Sequence, residues 1–250
     1  MGVSVETLHY YHGIERLRYL GSWMVTILAT VLCGSAGIAA SLVDRKGDAP
    51  HECARAWGRS LLWICGIELR VQGGEHVEPD RAYVFVANHQ SSLDIPALLV
   101  ALPLRFHLLA KASLFRIPFL GWYMKQVGYV PVDRSCARRA VQCLEEAAER
   151  LASGTSVLLF PEGGRTPEGQ LGRFKTGGFR LAQTTGLSLV PVVLINSGRL
   201  MARGSRWPDP GVIEVRIGEP VPAATDARPR ALADTMRQRI AELQQAARIP

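Results

Sequence analysis

The chain has 250 residues, of which 48% are hydrophobic, and a formal net charge of +7 with a pI near 9.5. This composition excludes a disordered chain, and the length suits one large domain or a domain with an appendage. The basic balance favours an anionic partner, which could be nucleic acid, anionic lipid or a phosphorylated substrate. The cysteines form no C-x-x-C pair and no zinc spacing, a pattern typical of reduced thiols facing a cytosolic compartment; they are Cys33, Cys53, Cys65, Cys136 and Cys143.

The first predicted element is a long apolar segment, Leu20 to Val43, without a charged residue. As a helix it would be roughly 36 Å long at ~1.5 Å per residue, against a bilayer core about 30 Å thick. Trp23 stands near one end, where an interfacial aromatic is expected. These features favour a membrane-embedded helix. The alternatives are a cleaved signal peptide, which has a shorter apolar centre, and a buried helix of a soluble domain.

A second apolar piece, RAWGRSLLWICGIEL (55–69), fits an interfacial amphipathic helix or the return arm of a helical hairpin. Lys and Arg near the long segment are more frequent after it (Arg45, Lys46, Arg55, Arg59) than before it (Arg16, Arg18). We therefore predict an N-terminal membrane anchor over residues 1–66 and one domain over residues 67–250. The anchor would lie in the inner, cytoplasmic membrane with the domain facing the cytoplasm.

The rest of the chain alternates between strand and helix patterns. Short β-branched runs predict seven strands: IELRVQG, AYVFVAN, RFHLLAK, YVPVD, SVLLFP, LVPVVLIN and VIEVRIG. Apolar residues at helical spacing predict helices over 135–153, 174–186 and 227–248. This alternation predicts an α/β domain with a mostly parallel mixed sheet flanked by helices.

The segment NHQSSLD (88–94) follows one predicted strand directly and opens a helix. One interpretation is structural, because Ser91-x-x-Asp94 resembles a capping box with Ser91 or Ser92 as the N-cap. The other is catalytic: Asp94, one turn into the helix, can hydrogen-bond a ring nitrogen of His89 and leave the other nitrogen as a general base. No G-x-S-x-G elbow or nearby cysteine offers a nucleophile, so this base would activate a hydroxyl of the substrate.

A glycine-rich loop lies in LLFPEGGRTPEGQLGRFKTGG (158–178), where Glu162, Arg165, Arg173 and Lys175 stand among six glycines. Glycine lets backbone N–H groups approach a ligand, and arginine offers a bidentate fork for phosphate. An ordinary surface loop with solvated charges would have the same composition, and the P-loop pattern is absent. GYVPVDR (128–134) ends another strand with an arginine that could serve the same phosphate or form a salt bridge.

In their order, these segments resemble the 1-acyl-sn-glycerol-3-phosphate acyltransferase family, the lysophosphatidic acid or glycerophospholipid acyltransferases. NHQSSLD is similar to the family's N-H-x4-D block, GYVPVDR to its G-x-x-F-x-x-R block, FPEGGR to its F-P-E-G-T-R block and LVPVVL to its late V-P-V block. AKASLFRIPFLGW and RFKTGGFRLA resemble the segments between them, so the resemblance runs from about Arg81 to Asn196. Four departures leave the choice of acceptor and acyl chain open: Ser92 for an aromatic residue, Gly164 for Thr, Pro131 for an aromatic or aliphatic residue, and Ser113 for Glu.

The resemblance implies a glycerol-3-phosphate acyltransferase-like fold and a reaction. A fatty acyl group would pass from acyl-CoA or acyl carrier protein to the free hydroxyl of 1-acyl-glycerol 3-phosphate, giving phosphatidic acid for phospholipid synthesis. It implies that His89 is the general base and that Asp94 orients it. The substrate phosphate would be bound by Glu162, Gly163, Arg165 and Arg134, and the further possible substrate contacts are Asn88, Lys111 and Lys175.

Membrane lipids and the acyl donor are the expected partners. We expect no metal, since no cluster of His, Asp and Glu has ligand spacing, and no cofactor beyond the acyl donor as co-substrate. Nucleic acid is not expected, because the basic residues are dispersed and no recognition motif appears. Two alternatives stay open: an acyltransferase for another lyso-lipid such as lyso-ornithine lipid, and a non-catalytic lipid- or CoA-binding membrane protein of the same fold.

Overall fold

Two long helices that pack against each other precede the sheet. The computed structural model describes residues 5–44, 46–132, 148, 154–223 and 228–246. In it, α1 spans Val5–Val43 and α2 spans Asp48–Ile64. Trp57 of α2 donates from Nε1 to the Thr30 hydroxyl of α1 at 3.0 Å, which ties the two helices together. Both predicted N-terminal helices are therefore present, and both begin before the apolar residues that indicated them.

The apolar part of α1 is largely exposed. The stretch Leu20–Val43 has a mean hydropathy of 1.9, is long and apolar enough to cross a membrane, and is only 6% buried. The alternative of a buried helix in a soluble domain is therefore wrong for this stretch. Gly34 and Gly37 of α1 approach the side chains of Phe119 and Tyr123 further along the chain, so this helix also packs on the rest of the molecule.

The described residues form a seven-stranded sheet in which all seven predicted strands are present. Its strands are β1 (Ile67–Gln72), β2 (Tyr83–Ala87), β3 (Phe106–Lys111), β4 (Val130–Val132), β5 (Ser156–Leu159), β6 (Ser188–Ile195) and β7 (Gly211–Ile217). Their spatial order is β1-β7-β6-β2-β5-β3-β4, and every neighbouring pair is parallel except β6 and β7. The prediction of a mostly parallel mixed sheet is confirmed.

Shorter helices connect and cover the strands. They are α3 (Asp94–Ala101), α4 (Leu120–Gln126), α5 (Gly177–Thr185), α6 (Ser197–Leu200) and α7 (Pro229–Ala246), with 3-10 turns at Gly74–His76 and Ala112–Arg116. The predicted helices over 174–186 and 227–248 correspond to α5 and α7, and Gly186 ends α5 in the left-handed conformation at φ 67°. The helix predicted over 135–153 lies outside the described residues except for Ala148, which is helical and buried.

Successive side chains of a strand point to opposite faces of the sheet. Both faces therefore carry apolar residues, and helices pack on both. In β2, Phe85 and Ala87 pack with residues of α2, α3 and α4, while Val84 and Val86 pack with residues of α5 and α7. The helix α2 lies close on α3: a Cβ at Gly58 would come within 2.9 Å of the Pro96 carbonyl oxygen. The first face of the sheet therefore carries α2 directly over α3, and α1 packs on α2 and α4.

Candidate active site

One edge of the sheet collects polar side chains from several loops. The strands β3, β5, β2 and β6 are neighbours and mutually parallel, so their carboxyl ends meet at the same edge. His89 follows β2, Lys111 ends β3, the loop of Glu162 and Arg165 follows β5, and the loop after α6 follows β6. The carboxyl edge of a parallel sheet is where α/β folds place ligand sites. The topology thus brings the N-H-x4-D and FPEGGR segments together.

His89 and Asp94 form a buried pair at this edge. The Nδ1 of His89 lies 2.8 Å from Asp94 Oδ2, and the side chain of Asp94 is fully buried while that of His89 is 13% exposed. The same Oδ2 accepts the backbone N–H groups of Gln90 and Ser91 at 2.7 and 2.8 Å. A ring nitrogen that donates to this carboxylate leaves Nε2 with a free lone pair, and Nε2 has no hydrogen-bond partner within the described part of the chain.

Asp94 makes the hydrogen bonds that both interpretations of the segment expected of its carboxylate. It accepts the Ser91 N–H, as the acid of a capping box would, and it contacts Nδ1 of His89, as the catalytic interpretation requires. The prediction of Ser91 or Ser92 as the N-cap is wrong, because α3 has Leu93 as its N-cap with no side-chain cap bond. The Ser91 hydroxyl instead donates to the Met201 carbonyl at 2.9 Å and accepts the Leu93 N–H.

The loop after β5 holds the backbone of His89 on both sides. The His89 N–H donates to Glu162 Oε2 at 3.3 Å, and the His89 carbonyl accepts the Thr166 N–H at 2.8 Å. Glu162 also accepts the Thr166 hydroxyl at 3.1 Å and the Gly172 N–H at 3.3 Å. Burial raises the pKa of the Glu162 carboxyl, while these hydrogen bonds act to lower it. Both carboxylate oxygens of Glu162 are therefore engaged: Oε2 joins its loop to the His89 segment, and Oε1 holds Gly172 within the loop.

Arg165 reaches across the same edge. It donates from Nη1 to the Ser92 hydroxyl at 2.7 Å, which places its guanidinium beside the N-H-x4-D segment. A Cβ at Gly163 would lie 2.7 Å from Lys175 Nζ, so the lysine side chain runs over this glycine, whose φ of 73° is left-handed. Because glycine has no side chain, it tolerates both the left-handed φ and the close approach of Lys175 at position 163. Arg165, Gly163 and Lys175 thus lie in one loop beside the N-H-x4-D segment, and their contact with an anion stays a prediction.

Two other predicted site residues behave differently. Asn88 is fully buried, and its amide exchanges two hydrogen bonds with the backbone of Leu194 in β6, at 2.9 and 2.8 Å. These contacts give Asn88 a structural role and do not support the predicted substrate contact. Arg134 lies outside the described residues, so its predicted contact with phosphate stays a prediction.

A cavity of about 760 Å³ opens beside the His89 ring. Its polar end lies at His89, where Arg165 donates a hydrogen bond to Ser92, and the wall also includes the exposed side chains of Lys111 and Arg203. The rest of the wall is mainly apolar and is built by α1, α2, α3, α4 and β3, including Ala54, Trp57, Leu99, Leu108 and Met124. A cavity with one charged end and a long apolar wall suits a molecule with an anionic head and a hydrocarbon chain.

Sequence reasoning missed several residues that support this site. Phe160 stacks on the His89 ring with centroids 4.2 Å apart and planes 21° apart, and Thr166 bridges two residues by donating its N–H to the His89 carbonyl and its hydroxyl to Glu162. Glu168 accepts the N–H groups of Asn196, Gly198 and Arg199, which fixes the turn after β6. Phe160 lies inside the FPEGGR segment, and Thr166 and Glu168 lie within the three residues after it, so their positions beside this motif could have identified them. No sequence motif marks Arg203, because only the fold brings it to the cavity.

Comparisons with known proteins show which sequences and folds this chain resembles. A family model described as Acyltransferase matches residues 68–195. A chloroplastic 1-acyl-sn-glycerol-3-phosphate acyltransferase of Arabidopsis thaliana is 38% identical over 173 residues, covering 68% of this chain and 48% of the relative. A 1-acyl-sn-glycerol-3-phosphate acyltransferase of Pseudomonas aeruginosa is 34% identical over 183 residues, covering 71% of this chain and 70% of the relative. The chain spans about half the length of its chloroplastic relatives in Arabidopsis thaliana and Brassica napus.

One solved structure matches this chain over nearly the whole length of both proteins. The 1-acyl-sn-glycerophosphate acyltransferase PlsC from Thermotoga maritima superposes with a TM-score of 0.81 at 26% sequence identity. The match covers 94% of this chain and 96% of that one. The similarity therefore includes the N-terminal helices as well as the sheet and its loops.

Proposed function

This chain belongs to the acyltransferase family, and we propose that it acylates 1-acyl-glycerol 3-phosphate to give phosphatidic acid for phospholipid synthesis. The donor would be a thioester, acyl-CoA or acyl carrier protein, and no other cofactor is required. The observation that carries the proposal is the His89–Asp94 pair at the rim of an apolar cavity whose polar end includes Arg165. The names of the relatives support the choice of substrate.

The proposed mechanism is direct transfer with His89 as general base. Nε2 of His89 takes the proton of the acceptor hydroxyl as its oxygen attacks the thioester carbonyl, forming the new C–O bond. The C–S bond then breaks, and the proton passes from His89 to the leaving thiolate. Asp94 holds the ring through Nδ1 and stabilises the imidazolium that forms between these steps. A base in such a position typically contributes about 10²- to 10⁴-fold to the rate.

The acceptor phosphate is proposed to lie at the polar end of the cavity. Arg165 supports this, because it is fixed by the Ser92 hydroxyl and has no carboxylate within ion-pair distance among the described residues. Lys111 lines the same cavity and Lys175 runs over Gly163, so both supply further positive charge. Gly163 is proposed to shape the loop rather than to donate to the phosphate, because its N–H already donates to the Phe160 carbonyl at 3.1 Å. Arg134 is retained as a proposed contact from the sequence. Glu162 is proposed to act on the phosphate indirectly, because its carboxylate already holds the loop that carries Arg165.

The acyl chains and the membrane are proposed to meet at α1. Its exposed apolar face suits lipid, and the same helix contributes Thr30 and Gly34 to the cavity wall. That contribution favours a retained helix over a cleaved signal peptide. The excess of Lys and Arg after the helix supports a cytoplasmic domain on the inner membrane, where acyl-CoA and acyl carrier protein are available.

The proposal is tested by identifying the lipid product. Membranes that contain the protein would receive several labelled lyso-acceptors, each with acyl-CoA and with acyl carrier protein as donors. Phosphatidic acid from 1-acyl-glycerol 3-phosphate is the expected product, and it should disappear in His89→Ala membranes that contain equal amounts of protein. Acylation of lyso-ornithine lipid instead, with Arg165→Ala as active as wild type, would replace the proposed acceptor. Absence of acyl transfer to any acceptor would favour a non-catalytic lipid-binding protein.

A further inference from the structure

Arg203 is a charged residue of the cavity wall that neither the sequence motifs nor the proposed mechanism uses. It lies in the loop 201–210, between α6 and β7, and contributes to the cavity wall together with His89 and Arg165. Most arginines that the structure describes on the sheet and helices have a carboxylate close by, as Arg70 has Glu68. In the part of the chain that the structure describes, Arg203 has neither a carboxylate nor a hydrogen-bond acceptor.

The loop 201–210 is fixed at both of its ends. At its start, the Met201 carbonyl accepts the Ser91 hydroxyl at 2.9 Å, which attaches the loop to the segment that carries His89. Near its end, the Trp207 ring packs edge-on against Trp23 of α1 with centroids 5.6 Å apart. The Asp209 N–H closes the loop on the Leu200 carbonyl at 2.8 Å. Arg203 is therefore held between the catalytic segment and the apolar helix.

Arg165 and Arg203 line one cavity, and neither has a carboxylate within ion-pair distance among the described residues. Guanidinium groups without a counter-charge in a cavity wall favour an anion there, because a phosphate both neutralises their charge and accepts charge-assisted hydrogen bonds. We propose that Arg203 is a phosphate-binding residue of the substrate site and that Trp207 positions it by docking the loop on α1. This inference rests on the proposed function, since the phosphate is that of the lipid acceptor or of the thioester donor.

The test compares Arg203→Ala with wild type and with Arg199→Ala, a matched loss of charge at an exposed arginine that does not line the cavity. Full-length protein in neutral detergent micelles would be assayed with acceptor and donor varied in turn. We expect KM for one of the two substrates to rise about tenfold in Arg203→Ala, with little change in kcat, because one charge-assisted hydrogen bond is lost. A rise for the acceptor identifies the acceptor phosphate, and a rise for the donor identifies a phosphate of the donor.

These assays also distinguish failure of the proposed role of Arg203 from failure of the proposed function. Wild type and Arg199→Ala must form phosphatidic acid; if they do not, the proposed function fails. If they do and Arg203→Ala has unchanged KM values for both substrates, only the role of Arg203 fails. A change seen on anionic vesicles but absent in neutral micelles would also overturn it, because Arg203 would then bind bulk lipid. Trp207→Ala should raise the same KM and Trp207→Phe should not; equal KM values in wild type and Trp207→Ala would overturn the positioning step.

Discussion

The carboxylate of Glu162 accepts the backbone N–H of His89 at 3.3 Å, so the loop after β5 holds the residue proposed as the base. The same carboxylate accepts hydrogen bonds from Thr166 and Gly172 within its own loop. A half-buried anion surrounded by three donors is well placed to orient backbone, whereas a second anion such as phosphate would repel it. The contacts of Glu162 therefore point to a positioning role.

Glu162→Gln tests this role. The amide keeps the shape of the side chain but replaces one acceptor oxygen with an NH₂ group, so at least one of the three donors loses its partner, at a cost of about 1–3 kcal/mol. We expect kcat to fall about tenfold or more, with a smaller change in KM for the acceptor, as His89 loses its fixed geometry. Steady-state kinetics with varied acceptor measure both parameters. Glu219→Gln, at an exposed glutamate, is the control and should match wild type. A change confined to KM would instead support direct contact with the phosphate.

His89→Gln and Asp94→Asn test the catalytic pair. Removing the base should lower kcat by about 10²- to 10⁴-fold, and Asp94→Asn should lower it because the neutral amide cannot stabilise the imidazolium. Because the two residues act as a unit, the double variant should be scarcely slower than His89→Gln alone. Initial rates of thioester consumption give all three values. His76→Gln, at a histidine whose ring contacts the Ile217 carbonyl, is the control and should retain activity. Additive losses in the double variant would contradict a coupled pair.

The fold and the pairing of His89 with Asp94 could be predicted because both depend on local pattern. Each strand is a short apolar run. His89 and Asp94 are five positions apart at a strand-to-helix junction, and this spacing brings their side chains together. Asn88 shows where this reasoning stops. Its amide pairs with Leu194, 106 positions away, and only the arrangement of β2 beside β6 creates that partner. The sequence could not distinguish a polar residue used by the sheet from one that faces substrate.

The cavity also depends on contacts that no local pattern reveals. Its wall combines α1 and α2 with α3 and β3, and α2 approaches α3 closely because Gly58 has no side chain to separate them from Pro96. The sequence predicted the two N-terminal helices as an anchor, and nothing in their apolar spacing indicated that they also line a substrate cavity. Arg203 reaches the same cavity through a loop that has no recognisable motif.

Ala54→Phe tests whether the apolar wall receives the acyl chain. Ala54 lies on α2, is 6% exposed and lines the cavity, so an aromatic ring there would occupy space that a long chain needs. We expect the preference for long-chain over medium-chain acyl donors to fall about tenfold, in line with the ~1–3 kcal/mol typical of poor fit in an apolar pocket. Competition between two labelled donors measures the ratio. Ala56→Phe, at an exposed position of the same helix, is the matched control. An unchanged ratio in folded Ala54→Phe would place the chain elsewhere.

His51 gives the protein a predictable sensitivity to acid. It lies buried in the first turn of α2 with its ring edge-on to Phe106, and burial, assisted by the charges of Arg55, Arg105 and His107, lowers its pKa to about 3. In the unfolded chain its pKa is about 6.5. Between these values the unfolded state binds more protons, so stability is complete above about pH 6.5 and is lost as the pH falls, by up to ~1.4 kcal/mol per pH unit.

His51→Phe should therefore reduce the acid sensitivity of folding. The variant keeps a ring against Phe106 but has no group to protonate, so its thermal unfolding midpoint should fall less than that of wild type between about pH 7 and about pH 5. Thermal unfolding in neutral detergent, followed by circular dichroism, measures the difference. His107, whose pKa burial lowers to about 4, should behave in the same direction in His107→Phe. If both variants lost stability as steeply as wild type, neutral buried histidines would not be the origin of the acid sensitivity, and paired carboxylates would have to account for it.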